Sequence, residues 1–284
     1  MDKLNPKVIY YIAKKEFMDN VRNRWIILLT VIFVILTIVA SFLAGGQSGH
    51  AGALGGMEET VVALISISSL LIPLIAIILG FSTISGEAES GALSVVLSYP
   101  VRRMEVLFGK FLGLGSVLVA STILGFGLGG IVIALTVSAE SSLAYLAFIG
   151  LAIVLGFVYL SAILCFSALC KKRVTSIGAG ILLFFWAQIY GMVVFGIYLA
   201  TGGNMEGLVT STVTFPDWLW GSVVFSPIDT NQMAVMQAFG MEKAFGYSLE
   251  APEFLNLGFL LFVLLLWIVI PLILGYIFFK RRDI

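Results

Sequence analysis

The sequence predicts an all-α integral membrane protein with six transmembrane helices, and three observations predict it. The chain is 60% hydrophobic and only 11% charged over its 284 residues, whereas soluble domains carry about 25% charged residues. Six apolar segments reach the roughly 20 residues needed to cross about 30 Å of hydrocarbon. Nearly all the positive charge then falls on one side of the resulting topology. Length alone would allow two soluble domains, but the apolar runs imply one membrane domain over residues 1–284.

The first element precedes the spans. Asn5-Pro6 reads as an N-cap followed by proline at the first helical position. Ile9, Ala13, Phe17, Val21 and Trp25 then recur every four residues, with Ile12 beside them. Lys7, Lys14, Lys15, Asp19, Arg22 and Asn23 occupy most of the remainder. The pattern predicts an amphipathic interface helix within residues 1–24, lying along the membrane surface. Taken alone, such a helix is an anchor.

The spans are expected at Trp25–Ala44, Val61–Ser85, Val106–Val137, Leu143–Leu169, Val174–Thr201 and Phe254–Phe279. The first is too long in its apolar core, and too long in the region before it, for a cleaved signal peptide. Gly109-x-x-x-Gly113 and Gly125-x-x-x-Gly129 have the small-residue spacing that lets helices approach closely. Pro73 and Pro271 each remove an intrahelical hydrogen bond and should kink spans two and six. Such residues serve as hinges or as ordinary membrane-helix packing. Gln188, in the middle of span five, is expected to bond a neighbouring helix.

Orientation follows from Lys and Arg. One side collects Lys3, Lys7, Lys14, Lys15, Arg22, Arg24, Arg102, Arg103, Lys110, Lys171, Lys172, Arg173, Lys280, Arg281 and Arg282. Only Lys243 falls on the other, together with Glu58, Glu59, Glu140, Glu206, Asp217, Asp229, Glu242, Glu250 and Glu253. Both termini are therefore expected in the cytoplasm of a multi-pass plasma-membrane protein. The zero formal net charge argues against a nucleic-acid partner.

Absences narrow the function. No Asp, Glu, Lys, Arg or His lies deep in a predicted span, and Lys110 sits near an inner edge from which it can snorkel. Ion-coupled carriers place charges inside the bundle, and an intramembrane hydrolase needs a nucleophile and a base. Neither is present, so no catalytic residue is assigned. His50 lies in a Gly-rich outer loop and reads as solvated. Cys165 and Cys170, five apart, would point about 140° apart on a helix, which disfavours a disulfide or a metal pair.

Residues 86–105 interrupt the apolar pattern between spans two and three. The run GEAESGALSVVLSYPVRR carries Glu87, Glu89 and Gly91, then Leu93, Val96 and Leu97 on one side of a short helix. Pro100 ends that helix, and Arg102 and Arg103 follow it. A short transverse helix between two spans can convert a push from outside into tilting of both. A solvated turn would explain the charges but not the apolar residues.

The outer loop over residues 202–253 is too long to be a simple connection. FPDWLW (Phe215–Trp220) reads as an interfacial aromatic cluster. Asp229 is a candidate N-cap for a helix over Thr230–Phe239, stopped at Gly240. Met233 and Met236 share a face of it, with Met241 just beyond. Thioethers suit Cu(I), although methionine on an apolar face is more often packing.

AKKEFMDNVRNRW (Ala13–Trp25), GEAESGALSVVLSYPVRR followed by GK (Gly86–Lys110) and the closing FFKRRDI together resemble the ABC-2 type permeases of ATP-binding-cassette transporters. That resemblance spans essentially the whole chain. It implies that the first motif is a connecting amphipathic helix. It implies that the second contains a cytoplasmic coupling helix seated in an ATPase subunit, with Glu87, Glu89, Gly91, Pro100, Arg103 and Lys110 at recurrent positions. LIPLIAIILGF (Leu71–Phe81) and FSPIDTNQMAVMQAFG (Phe225–Gly240) are similar to the branch of permeases serving multicopper-enzyme, above all nitrous oxide reductase, maturation.

The resemblance implies partners: two cytoplasmic ABC ATPase subunits, a second permease copy (identical or a paralogue), and an extracytoplasmic β-helix accessory protein. The sequence agrees on energy. No G-x-x-x-x-G-K-[ST] loop occurs, since Gly109-Lys110 is followed by Phe. ATP and Mg would then be bound by the partner ATPase, and no cofactor is expected in this chain. Export of a lipid, glycan, peptide or drug, or a non-transporting complex that acts mechanically on an extracytoplasmic partner, are the other readings.

Overall fold

The computed structural model describes residues 4–44, 57–136, 139–203, 215–240, 243–244, 247–248 and 252–282. His50, Met241 and the last two residues of FFKRRDI lie outside them. Eleven helices are described: α1 Pro6–Val21, α2 Arg24–Ala44, α3 Met57–Gly80, α4 Ser85–Glu89, α5 Ala92–Ser98, α6 Arg103–Thr136, α7 Ala139–Leu169, α8 Arg173–Ala200, α9 Asp217–Ser222, α10 Pro227–Ala238 and α11 Leu257–Arg281. A two-residue hairpin, β1 Lys243–Ala244 with β2 Tyr247–Ser248, is the strand structure among these residues.

Among the described residues, five helical segments are long and apolar enough to cross a membrane, and a sixth crossing is reached if α1 and α2 count as one bent span. The two meet at 70°. Asn23 makes this break, its Oδ1 accepting the Trp25 N–H at 3.0 Å. The bend corrects the predicted apolar stripe of α1. Ile9, Ile12, Ala13 and Phe17 face the bundle, but Val21 is exposed and Trp25 is 68% exposed, because each lies at or beyond the break.

α7 is the central helix. It packs against α3, α6, α8, α10 and α11, and 72% of its most apolar stretch is buried. Apolar residues all round suit that position. α8 and α11 are outer helices, buried over only 22% and 17% of the same length. Their exposed Leu182, Phe185, Met192, Phe262, Leu265 and Ile273 would be covered by hydrocarbon rather than protein.

Glycines set the closest approaches. A Cβ at Gly125 would lie 2.3 Å from the Phe33 ring, which wedges edge-on against Phe126 at 4.6 Å between centroids. Gly109 and Gly113 receive α1 rather than another span: a Cβ there would fall 2.7 Å from Ile12 and 2.5 Å from the Ala13 carbonyl oxygen.

Each helix-internal proline leaves the carbonyl four residues earlier without its N–H partner. For Pro73 that carbonyl is Ser69, and Gln188 Nε2 on α8 donates to it at 3.2 Å. For Pro271 it is Trp267, and the Ser161 hydroxyl on α7 lies 3.2 Å away. Gln188 thus bonds a neighbouring helix, as expected, and its acceptor is the one that proline frees.

Several predicted ends shift: α3 starts at Met57, α6 at Arg103 and α7 at Ala139. The α3 helix ends at Gly80 while the apolar segment runs on to Glu89, and the turn over residues 81–84 is stapled by Ser167 of α7. Its Oγ accepts the Ile84 and Ser85 N–H groups, both at 3.0 Å, and lies 3.0 Å from the Phe81 carbonyl oxygen. The last span starts at Leu257, not Phe254, because Asn256 caps it by accepting the Phe259 N–H at 2.9 Å.

Replacing Gln188 by Leu should therefore cost about 1–3 kcal/mol, the penalty of an unsatisfied buried polar group. In a Pro73→Ala background the cost should shrink, because the helix now supplies its own donor. Thermal unfolding of the four proteins in detergent measures the coupling, and equal costs in both backgrounds would separate Gln188 from the proline.

Candidate functional site

The polar side chains of the described residues concentrate at one end of the bundle, where α4 and α5 cross between α3 and α6. The α5 helix forms as its sequence predicts, over Ala92–Ser98, with Tyr99 as C-cap and exposed Pro100 ending it. Gly91 joins it to α4 at φ 76°, a left-handed conformation that favours glycine. Nothing lies within 4 Å of a Cβ built there, so the backbone, not space, requires glycine.

Leu93 is fully buried with Ile84, Val106, Leu107, Ala168 and Phe279, and Val96 and Leu97 pack on this cluster. The opposite face of α5 is different. Val95 and Tyr99 are 62% and 65% exposed.

Beneath this layer lies a charged cluster. Lys110 of α6 is 2% exposed, and its Nζ sits 2.7 Å from Glu16 Oε1 of α1 and 2.7 Å from Glu87 Oε1 of α4. The expectation that Lys110 snorkels to the surface is thus corrected. Gly109 and Gly113 bring α1 so close that the ammonium is covered, and two carboxylates replace its water. Glu87 Oε2 is buried without a hydrogen-bond partner. A charge at this depth is stable only when paired.

The remaining predicted residues act as clasps. Glu89 Oε2 accepts the Arg173 N–H at 3.1 Å, placing an anion on the N-terminus of α8, where it is favoured. Arg103 Nη1 donates to the carbonyls of Phe279, Lys280 and Arg282, the last two at 3.0 and 2.8 Å. It also lies 5.6 Å from the centroid of the Phe279 ring. Arg282 answers from α11, donating to the carbonyls of Ser167, Ala168, Cys170 and Lys171 at the end of α7. Arg102 gives its backbone N–H to Glu105 Oε2 at 2.9 Å.

Glu16 and Glu105 are the residues that sequence reasoning missed. Glu105 is 3% exposed; its Oε2 caps the start of α6 by accepting the Arg102 N–H, while its Oε1 accepts the Asn5 N–H at 2.7 Å. One carboxylate therefore ties the starts of α1 and α6. The available signal was an acid in the first turn of α6. For Glu16 the signal was an acid next to the apolar stripe of α1.

At the other end of α8, helices α9 and α10 fold back against the bundle. The N-cap of α10 is Ser226, not Asp229: its side chain accepts the Asp229 N–H at 3.2 Å, with Pro227 in the first turn. Ser-Pro repeats the logic of Asn5-Pro6 three residues ahead of the predicted cap. Gly240, at φ 61°, ends the helix as expected. Met233 and Met236 are half-buried against the core. Of the two tryptophans in FPDWLW, Trp220 is buried and Trp218 is half exposed. Among the described residues, no group of three or more His, Cys, Asp or Glu is placed to hold a metal.

A bundle of long apolar helices with its polar framework gathered at one end defines a multi-pass membrane protein. Residues 10–284 match the ABC-2 family transporter protein family, and the chain belongs to that family. It is similar to the probable ABC transporter permease protein NosY of Pseudomonas aeruginosa, at 29% identity covering 98% of this chain and 99% of that one. It is also similar to the protein of the same name from Stutzerimonas stutzeri, at 30% identity covering 96% and 98%.

Two outcomes follow. Lys110→Met should destabilise the protein by about 3–5 kcal/mol, because it strands two buried carboxylates. Adding Glu16→Gln and Glu87→Gln should recover most of that loss, as read from thermal unfolding in detergent. At the opposite end, burial pushes the Asp229 carboxyl up to about 6, against a hydrogen bond from Ser226 that lowers it. An acid raised in the folded state loses stability as it ionises. Asp229→Asn should therefore raise the unfolding midpoint above pH 6, with the difference vanishing towards pH 4.

Proposed function

We propose that this permease works as a dimer with two separate cytoplasmic ATPase subunits, and that α5 is the element they push. The observation that carries the reading is the Glu16–Lys110–Glu87 cluster. It fastens α4, and α5 through Gly91, to α1 and α6 with buried charge pairs. A displacement of α5 would then pass to α1 and α6 together instead of dissipating in a loop. Glu89 and Arg103 extend the same fastening to α8 and α11.

The inward residues Glu87, Leu93, Leu97 and Arg103 hold the element, while Val95 and Tyr99 face outward. An apolar residue exposed at the basic end of a membrane bundle is suited to docking on a partner protein. The charge asymmetry supports a cytoplasmic location for this end. ATP and Mg belong to the partner in this reading.

Similarity to proteins named NosY, together with the Leu71–Phe81 and Phe225–Gly240 patterns, supports a role in maturing an extracytoplasmic copper enzyme. An extracytoplasmic β-helix accessory protein belongs to the same reading. Export of a lipid, glycan, peptide or drug would use the same coupling element.

Val95→Asp should leave the unfolding free energy of the permease within about 0.5 kcal/mol of native, as exposed substitutions do, yet reduce co-purification of the ATPase. Undiminished co-purification in a Val95→Asp/Tyr99→Ala variant would remove α5 from the contact. Orientation is tested with a single cysteine at position 172, after replacement of Cys165 and Cys170. An impermeant thiol reagent should label it in inverted vesicles and not in intact cells.

A further inference from the structure

Helices α8, α9 and α10 line an open cleft of about 250 Å³ that the coupling function does not use. Four aromatic residues, Tyr190, Phe195, Phe215 and Trp220, line it among aliphatic and small neighbours. Phe215 stands edge-on to both Phe195 and Trp220, at 6.4 and 5.9 Å between centroids, so the rings form a connected wall. Asp229 supplies the one carboxylate of the lining, which holds no Lys, Arg or His. No cation pairs with its carboxylate among the described ion pairs.

Space around that carboxylate is kept open by Gly191, where a Cβ would lie 3.4 Å from both carboxylate oxygens. Burial raises the cost of its charge, and a ligand that supplied a positive charge would offset it. A lone carboxylate inside an aromatic wall is a recognisable chemistry. The acid balances a full positive charge, and the ring faces attract a cation with apolar substituents.

A hard metal ion fits poorly. It asks for several oxygen ligands, and no metal-holding group of three acidic, Cys or His side chains is present among the described residues. Size points the same way. At about 30 Å³ per water-sized group, the cavity holds roughly eight such groups, which suits a substituted ammonium head and would leave a bare ion loose.

We propose that this cavity is a binding site for an alkylammonium group, with Asp229 as its counter-ion and the Tyr190, Phe195, Phe215 and Trp220 rings as its wall. The group is carried either by a lipid headgroup or by a small free amine. The site is independent of the coupling element at the other end of the bundle, so failure of either reading leaves the other standing.

The test uses the full chain, purified in detergent with any subunit that accompanies it, and choline chloride as the probe, titrated by calorimetry against potassium chloride of equal ionic strength. Saturable choline binding is expected, weakened roughly tenfold or more in Asp229→Asn, as expected for the loss of one charge partner. That variant removes a buried charge, and its unfolding midpoint confirms that it is folded. Phe215→Leu, which removes one ring face, should weaken binding about threefold to tenfold.

Nanodiscs separate the two sources. Weaker apparent choline affinity in phosphatidylcholine than in phosphatidylglycerol identifies the headgroup as occupant, and equal affinity identifies a free amine. Absence of saturable choline binding overturns the proposal, as does equal binding by native and Asp229→Asn proteins. Cu(I) binding that is lost in Met233→Leu/Met236→Leu, with no choline binding, would overturn it in favour of a thioether metal site.

Discussion

The buried ammonium of Lys110 is the interaction on which the basic end of this molecule depends. Its two carboxylate partners come from helices far apart in sequence, Glu16 on α1 and Glu87 on α4. Removing water from all three groups is costly, so the arrangement persists only if α1, α4 and α6 meet together. That requirement makes the cluster a device of specificity as much as of stability. It fixes the position of α1, which a hydrophobic stripe alone would leave free to slide, and it prevents α4 from peeling away from α6.

Around the cluster the same economy recurs. Broken or terminated helices leave backbone groups without partners, and in a membrane protein few waters are at hand to satisfy them. Here side chains from neighbouring helices do so: Ser167 at the break after α3, Glu89 at the start of α8, Arg103 at the end of α11 and Arg282 at the end of α7. Gln188 and Ser161 do the same for the two prolines. Tertiary structure at this end is largely a set of repaired backbone defects, so irregular segments become fixed elements.

The helices were legible in the sequence because each rests on local chemistry. Hydropathy marks the spans, Asn5-Pro6 and Gly240 mark helix ends, and the apolar spacing of Leu93 and Leu97 marks α5. Some boundaries moved where a polar side chain caps earlier or later than hydropathy suggests, as Asn256 and Ser226 do. The site was legible only in part. Glu87, Glu89 and Arg103 stand out as charges beside a span, but what they touch is a property of the fold. Lys110 looked like a snorkelling lysine because nothing in its neighbourhood announces that α1 will cover it. Glu16 was hidden for the same reason, since its partner lies 94 residues away.

The clasp between Arg282 and the end of α7 has a consequence for how the protein is made. The carbonyls it caps belong to residues 111 to 115 positions earlier in the chain. While α8, α9, α10 and α11 are being synthesised and inserted, the basic end of the central helix has no guanidinium to donate to its last carbonyls. The core helix is thus laid down early but finished late. Capping of that helix end is in this way deferred until α11 is in place, and a nascent chain that stalls before Arg282 leaves it uncapped, a feature by which quality control could tell an incomplete bundle from a finished one.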